Sequence, residues 1–326
     1  MALMRLIIRL ILPLLLLTVI ALTGLRIAAY LRESQDVTHL PPEMQMLRHP
    51  DGDIAMMELG PSSTSDNPEA VLLIHGSVGY SLTWWDTANA LAQESYAPIA
   101  IDLPPMGFSQ READGDYGRA ATAERILRVV EQLEVRPHLV AHSFGAGAAV
   151  EAVMRAPDSF ASLTIIAGAL PLDPPANAAL PIVLRPVWLR EVLVSATVTN
   201  PLATGALLQL FLHRDEAATA DVLRTLRRPS QQDGATEALA RWLPNLLVAP
   251  VGLRSTLPEA YAALDLPVAL IWGAEDTTTP LAEGENLQAL IPGATLTVLP
   301  GVGHIPMIED PEAFDAALIA ALAELQ

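Results

Sequence analysis

An α/β fold, built on a mostly parallel, eight-stranded-type sheet flanked by helices, is predicted by three features of the chain. Short apolar runs bounded by turn residues recur along it, separated by stretches with helical spacing. The runs lack polar–apolar alternation, as strands buried on both faces do. One long segment then breaks the pattern with helical spacing alone, which reads as an insertion between two strands.

Taken in order, the first candidate strand is Ile54 to Leu59, after the turn signal Asp51-Gly52. Gly60 to Glu69 is a loop by composition. Val71-Leu72-Leu73-Ile74 is the next strand, followed by a helical stretch through Leu91; Pro98-Ile99-Ala100-Ile101 is followed by helical spacing over Ala120 to Leu133. His138 to Ala141 leads into a helix over Gly145 to Arg155, and Leu163 to Ile166 is the next strand. Two further strands, Val268 to Trp272 and Ala294 to Val298, precede a last helix over Pro311 to Leu325. Alternation of this kind implies an open sheet covered by helices.

Residues 171–255 carry Leu-rich helical segments, Pro186 to Val194, Ala203 to His213 and Ala217 to Arg227, with no strand-like run. They are expected to form an all-helical cap over the carboxyl edge of the sheet, where ligands of such sheets bind. The core is then 51–170 and 256–326, preceded by a polar, Pro-containing linker over 33–50.

The first 32 residues are different in kind. They hold four arginines and no acid, and Leu6 to Leu25 is a 20-residue stretch whose only charge is Arg9. As a helix it would be about 30 Å long, the thickness of a bilayer core. The expectation is an uncleaved amino-terminal transmembrane helix and hence a membrane partner. The positive-inside rule then sets the amino terminus in the cytoplasm and the large domain on the outer, periplasmic or extracellular side. A cleaved signal peptide and a buried helix are the competing readings of 1–32.

Composition narrows the function. Against 19 Lys and Arg stand 37 Asp and Glu, a net charge of −18, which disfavours nucleic acid as a partner. The absence of cysteine excludes a Cys nucleophile, thiolate metal sites and disulfides. The seven histidines are dispersed, without the spacing of a metal motif, and no Gly-rich dinucleotide fingerprint lies at a strand–helix turn. Neither a metal nor another cofactor is expected.

Three residues stand just past predicted strand ends. Ser143 lies in Ala141-His142-Ser143-Phe144-Gly145, between a strand and a helix, where small flanking residues allow a tight turn and the helix start offers free N–H groups. Asp276 follows the strand ending at Trp272, and His304 follows the one ending at Leu299. A serine nucleophile needs a base to take its proton, and the base needs a carboxylate to orient it. The loop His75-Gly76-Ser77 follows an earlier strand, so the amides of Ser77 and Phe144 are candidates for an oxyanion hole. Singly, each has a plain reading: a turn serine, a turn-forming aspartate before Pro280, a solvated loop histidine. Among other histidines, His142 should point away from Ser143, His39 and His49 precede the core, His213 lies in the cap, and His138 starts its strand at the wrong end. Asp173, after the sixth strand, is the rival to Asp276.

From about Ala70 onward the chain resembles the α/β-hydrolase superfamily. The resemblance rests on His75-Gly76, Asp102-Leu103-Pro104-Pro105-Met106-Gly107-Phe108-Ser109, the Ser143 pentapeptide, Trp272-Gly273-Ala274-Glu275-Asp276, Gly303-His304-Ile305-Pro306 and Glu309 to Phe314. Ala141 and Pro105 stand where glycines are commoner. The order Ser143, Asp276, His304 is that of the superfamily. The resemblance implies the sheet, the helical cap and the role of the Ser77 amide. A serine at the elbow argues against epoxide and carbon–halogen chemistry. The expected activity is a carboxylic ester hydrolase acting on a small, apolar ester. A C–C bond hydrolase or thioesterase with the same triad is the alternative, and a ligand-binding receptor on the same scaffold is a reading of another class.

Overall fold

The computed structural model describes residues 2–33, 40–60, 68–77, 79–111 and 115–325, with the side chains of 2–12, 14 and 15 outside the description. His39 and most of the loop after Leu59 therefore lie outside the described residues. In chain order the helices and strands are α1 (Ala2–Glu33), β1 (Gln45–Leu47), β2 (Ile54–Glu58), β3 (Glu69–Ile74), α2 (Trp85–Gln93), β4 (Tyr96–Ile101), α3 (Arg119–Leu133), β5 (His138–His142), α4 (Ser143–Arg155) and β6 (Ser162–Ile166). After β6 come the helices α5 (Val187–Ala196), α6 (Thr204–Gln209), α7 (Ala220–Arg227), α8 (Ala235–Leu247) and α9 (Pro258–Ala262). The chain closes with β7 (Val268–Gly273), α10 (Leu281–Leu290), β8 (Thr295–Leu299), α11 (Pro306–Glu309) and α12 (Pro311–Glu324).

Eight strands form one sheet in the order β1-β2-β4-β3-β5-β6-β7-β8. Only β1–β2 and β2–β4 pair antiparallel; the other five pairs are parallel. Burial follows position. Every residue of the central strands β5, β6 and β7 is buried, whereas β1 and β8, at the edges, are partly exposed. This is why the central strands read as continuous apolar runs and why β1, three residues inside the stretch read as a linker, has no such signature. Off the sheet, α3 packs on α4 and α2 on α12, the latter pair joined by Thr87 Oγ1 donating to Asp315 at 2.7 Å.

The chain moves from β3 outward to β4 and then returns to place β5 on the other side of β3. Loops leaving the carboxyl ends of β3 and β5 therefore diverge, and the crevice between them is the topological switch point of the sheet, where such folds bind ligands. The expected cap is present as α5 to α8, inserted between β6 and β7. It has its own small core, in which Val194, Ala238, Leu239, Trp242 and Leu243 pack with Met106 and Tyr117 of the sheet domain. Helix α8 within it, and α10 after β7, were not singled out from sequence.

The expected transmembrane helix is corrected. Residues Ala2–Glu33 form a single helix, but among the described residues no helix is long and apolar enough to cross a membrane. The carboxyl-terminal turns of α1 belong to the cap instead. Ala29 is fully buried, Arg26 pairs with Glu191 of α5 at 3.1 Å, and Arg32 donates to the Thr199 carbonyl at 2.7 Å. Buried Glu33 accepts from the amide and hydroxyl of Thr236 at the start of α8. Hydropathy alone does not tell a helix that meets lipid from one that meets protein. The membrane partner and the outer-side location rested on that helix and are withdrawn with it.

Candidate active site

Ser143 opens α4 directly after β5, and its backbone is left-handed, with φ +50°. A residue with a Cβ is strained there, and the strain holds the hydroxyl out of the turn at the carboxyl edge of the sheet. The elbow also demands close approach. A Cβ on Gly145 would stand 2.2 Å from the carbonyl oxygen of His75, so the helix can start against the β3 loop only because residue 145 has no side chain. Phe144 is the second residue of α4, and its amide is one of the four that a helix start leaves without an intrahelical acceptor.

The loops after β7 and β8 run against each other. A Cβ on Gly273 would stand 2.1 Å from the carbonyl oxygen of Gly303, and the amides of Ala274 and Glu275 donate to Leu299 and Val302 at 2.9 Å. This brings Asp276 and His304 together, 28 residues apart in the chain. The Ser143 hydroxyl lies 2.7 Å from His304 Nε2, and His304 Nδ1 donates to Asp276 at 2.8 Å. All three residues are buried. The structure thus assembles a Ser143–His304–Asp276 triad. Asp173, the rival acid, is exposed and makes its backbone bond to Thr256, not to His304.

Asp276 is well served. Its second oxygen accepts from the amides of Thr278 and Thr279, at 2.8 and 2.9 Å. The Thr279 hydroxyl donates to the other oxygen at 2.9 Å and lies 3.2 Å from His304 Nδ1. Burial works to raise the Asp276 pKa, but the bonds from His304 and Thr279 outweigh it and hold the carboxyl below its ordinary value. It stays an anion and an acceptor, as the orienting acid must.

Two other histidines brace the site. His75 donates from Nδ1 to the Gly76 carbonyl and accepts the Leu103 amide at Nε2, at 2.7 and 2.9 Å. His142 donates from Nε2 to the carbonyl of His304 at 2.8 Å. Burial lowers them to about 4 and about 3 respectively, His142 helped by the neighbouring His304, so both stay neutral. His138, by contrast, bonds Ser162 at the far end of β5. Sequence reasoning set His142 aside as pointing away from Ser143, but it did not see that this side chain ties the elbow to the His304 loop.

Glu309 was also missed. Its carboxylate collects the amides of Gly303 and Ile305 from the His304 loop and those of His213 and Arg214 from the cap, at 2.8–3.3 Å. Arg214 donates to the Gly301 carbonyl and pairs with Asp310, and the His304 amide donates to the Phe211 carbonyl.

Ser77 shares with Ser143 and His304 a cavity of about 20 Å³, room for about one water. Gly76 beside it runs so close that a Cβ there would stand 3.1 Å from that of Ser143. Phe144 turns its ring edge-on to cap residue Trp242, with centroids 5.2 Å apart.

Comparison with known proteins agrees with this geometry. The family model described as alpha/beta hydrolase fold matches residues 69–311. The 2-hydroxymuconate semialdehyde hydrolase of Pseudomonas putida is 30% identical over 257 residues, 78% of this chain and 86% of that protein. The crystal structure of a bacterial membrane phospholipase A superposes with a TM-score of 0.69 at 23% identity, covering 97% of this chain and 98% of the other. A thermophilic esterase from Thermogutta terrifontis also gives 0.69, at 19% identity, over 88% and 99% of the two chains. With the sheet, elbow and triad in place and the family model matched over most of its length, the chain belongs to the alpha/beta hydrolase fold family.

Proposed function

We propose that the protein is a serine hydrolase that cleaves a carboxylic ester through an acyl-enzyme. The observation that carries this reading is the unbroken pair of hydrogen bonds, 2.7 and 2.8 Å, from a strained Ser143 through His304 to Asp276. Ser143 Oγ attacks the ester carbonyl while His304 Nε2 takes its proton. The amides of Ser77 and Phe144 hold the charge that develops on the carbonyl oxygen. The tetrahedral adduct collapses, the leaving alcohol takes the proton from His304, and a water deprotonated by His304 then frees the acid. Asp276 keeps the imidazole in the tautomer this needs and stabilises the imidazolium. Residues 171–255 serve as the lid, and the apolar walls beneath them favour a small acyl group with an apolar chain next to its carbonyl.

A C–C bond hydrolase using the same triad is the second reading, favoured by the 30% identity to the 2-hydroxymuconate semialdehyde hydrolase. The deciding measurement pairs labelling by a fluorophosphonate probe with hydrolysis of p-nitrophenyl esters, in wild type and Ser143→Ala. Labelling and ester turnover that both disappear in the variant, with kcat/KM down by about three to six orders of magnitude, support the ester reading. Labelling without ester turnover transfers the argument to C–C cleavage. Folded wild type that takes no label argues for a binding protein on this scaffold.

A further inference from the structure

Beyond the catalytic cavity, and sharing with it the walls Ser77, Gly79, Leu208 and Leu226, lies a second cavity of about 70 Å³. It runs under the cap between the Asp102–Ser109 loop and helices α6 and α8. Its lining is mostly apolar, from Met106, Leu207 and Leu239 among others, but it holds one formally charged residue, Arg111. Apart from that of Ser77, the hydroxyls on its wall are already engaged with backbone carbonyls: Tyr80 with Thr225, Thr204 with Asn200 and Ser230 with Arg227.

Arg111 is differently placed. It donates from Nε to the Pro105 carbonyl at 2.8 Å and from Nη2 to the Gly107 carbonyl at 2.6 Å. These bonds account for two of the five N–H groups of a guanidinium and fix its plane against the loop. Among the described residues no carboxylate lies within ion-pairing distance of it. A guanidinium pinned in a mostly apolar cavity, with donors remaining and no described carboxylate paired to it, has the chemistry of a carboxylate receptor. Burial also depresses its pKa, against the distant pull of Tyr117, Asp102, Glu33 and Asp233, so an arriving anion would restore what burial takes away.

We propose that Arg111 binds an anionic carboxylate at the far end of the acyl group, so that the substrate is a short half-ester of a dicarboxylic acid. The carboxylate end sits at Arg111, the apolar chain crosses the cavity, and the scissile carbonyl reaches Ser143 past Ser77. The proposal rests on the ester reading of the triad for its scissile bond, while the carboxylate site stands on the cavity alone.

The test compares mono-p-nitrophenyl glutarate with p-nitrophenyl butyrate in wild type, Arg111→Met and Arg111→Lys, reading the ratio of the two kcat/KM values. A ratio is independent of the fraction of enzyme that folds. Wild type is expected to favour the carboxylated ester at least tenfold, Arg111→Met to lose that preference, and Arg111→Lys to keep part of it through KM. A wild-type ratio near one, or a preference that survives in Arg111→Met, overturns the proposal while leaving the ester reading intact. Should neither ester be turned over, binding of monomethyl glutarate against dimethyl glutarate to Ser143→Ala separates the two ideas. Selective binding of the acid that vanishes when Arg111→Met is added keeps the carboxylate site and discards the ester chemistry, whereas equal binding discards the site.

Discussion

The sheet half of the site and the cap half are held in different ways. On the sheet side, each reacting group is fixed by short bonds to buried neighbours: Asp276 takes two amides and two side chains, and His142 ties the elbow to the His304 loop. On the cap side the walls are aliphatic and the outside is apolar too, with Leu202 90% and Trp188 63% exposed. Among the polar ties that fasten the cap are those of the Phe211–Arg214 stretch to the His304 loop, of Tyr80 to the Thr225 carbonyl, and of helices α5 and α8 to the end of α1. The sheet half supplies geometry that tolerates little error; the cap supplies shape. Substitutions on the two sides should therefore differ in kind, in rate on one and in selectivity on the other.

The largest expected effect is on the sheet side. Asp276→Asn should lower kcat by roughly four orders of magnitude in a protein that still folds, because the imidazole loses its tautomer and not its place. A loss below tenfold would mean that the carboxylate is ornamental and that the contrast between the halves is false.

Acid should strike the sheet half next. His75 and His142 have pKa values of about 4 and about 3 in the fold, against about 6.5 unfolded, so the native state binds fewer protons in that window. Stability then rises with pH up to about 6.5 and is lost on acidification, by several kcal/mol for two such groups. Asp102 acts oppositely, since burial raises it to about 6 and protonation suits its buried state, so it offsets part of the loss. Asp276, held low, adds its own loss only below the ordinary carboxylate range. Thermal melts between pH 7 and 4 should fall steeply in wild type and less so in His142→Asn; identical slopes would remove His142 from the account.

The seam between the halves comes third. Glu309→Gln exchanges a charged acceptor for an amide, one of whose ends must meet N–H donors, and should cost about 1–3 kcal/mol of stability. Turnover should fall about tenfold because the His304 loop loosens, and the loss should be the same on every ester. A change confined to one substrate would instead place Glu309 with the selectivity of the cap. Smallest of all, Trp188→Ser on the cap exterior should move stability by under about 0.5 kcal/mol and turnover by less than threefold; a larger shift in a melt or an ester assay would show that the apolar exterior takes part in function.

Much of this was legible in the chain. Central strands announce themselves because both of their faces are covered, and Ser143, Asp276 and His304 each follow such a strand. What escaped was set by partners distant in sequence. Strand β1 is three residues on an edge and shows itself only through pairing with β2. Helix α8 contains Pro244, a residue that ordinarily marks the end of a helix. The apolar stretch at the start of the chain reads as long enough to span a bilayer, yet no described helix is long and apolar enough to do so, and Ala29, Arg32 and Glu33 are placed by contacts with the cap. Glu309 and Thr279 are unremarkable in a row of letters; they matter because the amides and carboxylate they meet have their own bonds to make.

The cluster of amides around Glu309 has a mechanical consequence. One carboxylate grips both the stretch that carries the base and the stretch by which the lid is attached, as a pin grips both leaves of a hinge. The lid cannot lift at that point without dragging His304 from Ser143. Any movement that admits substrate while keeping the reactive pair aligned must swing about residues 211–214 and leave that stretch in place.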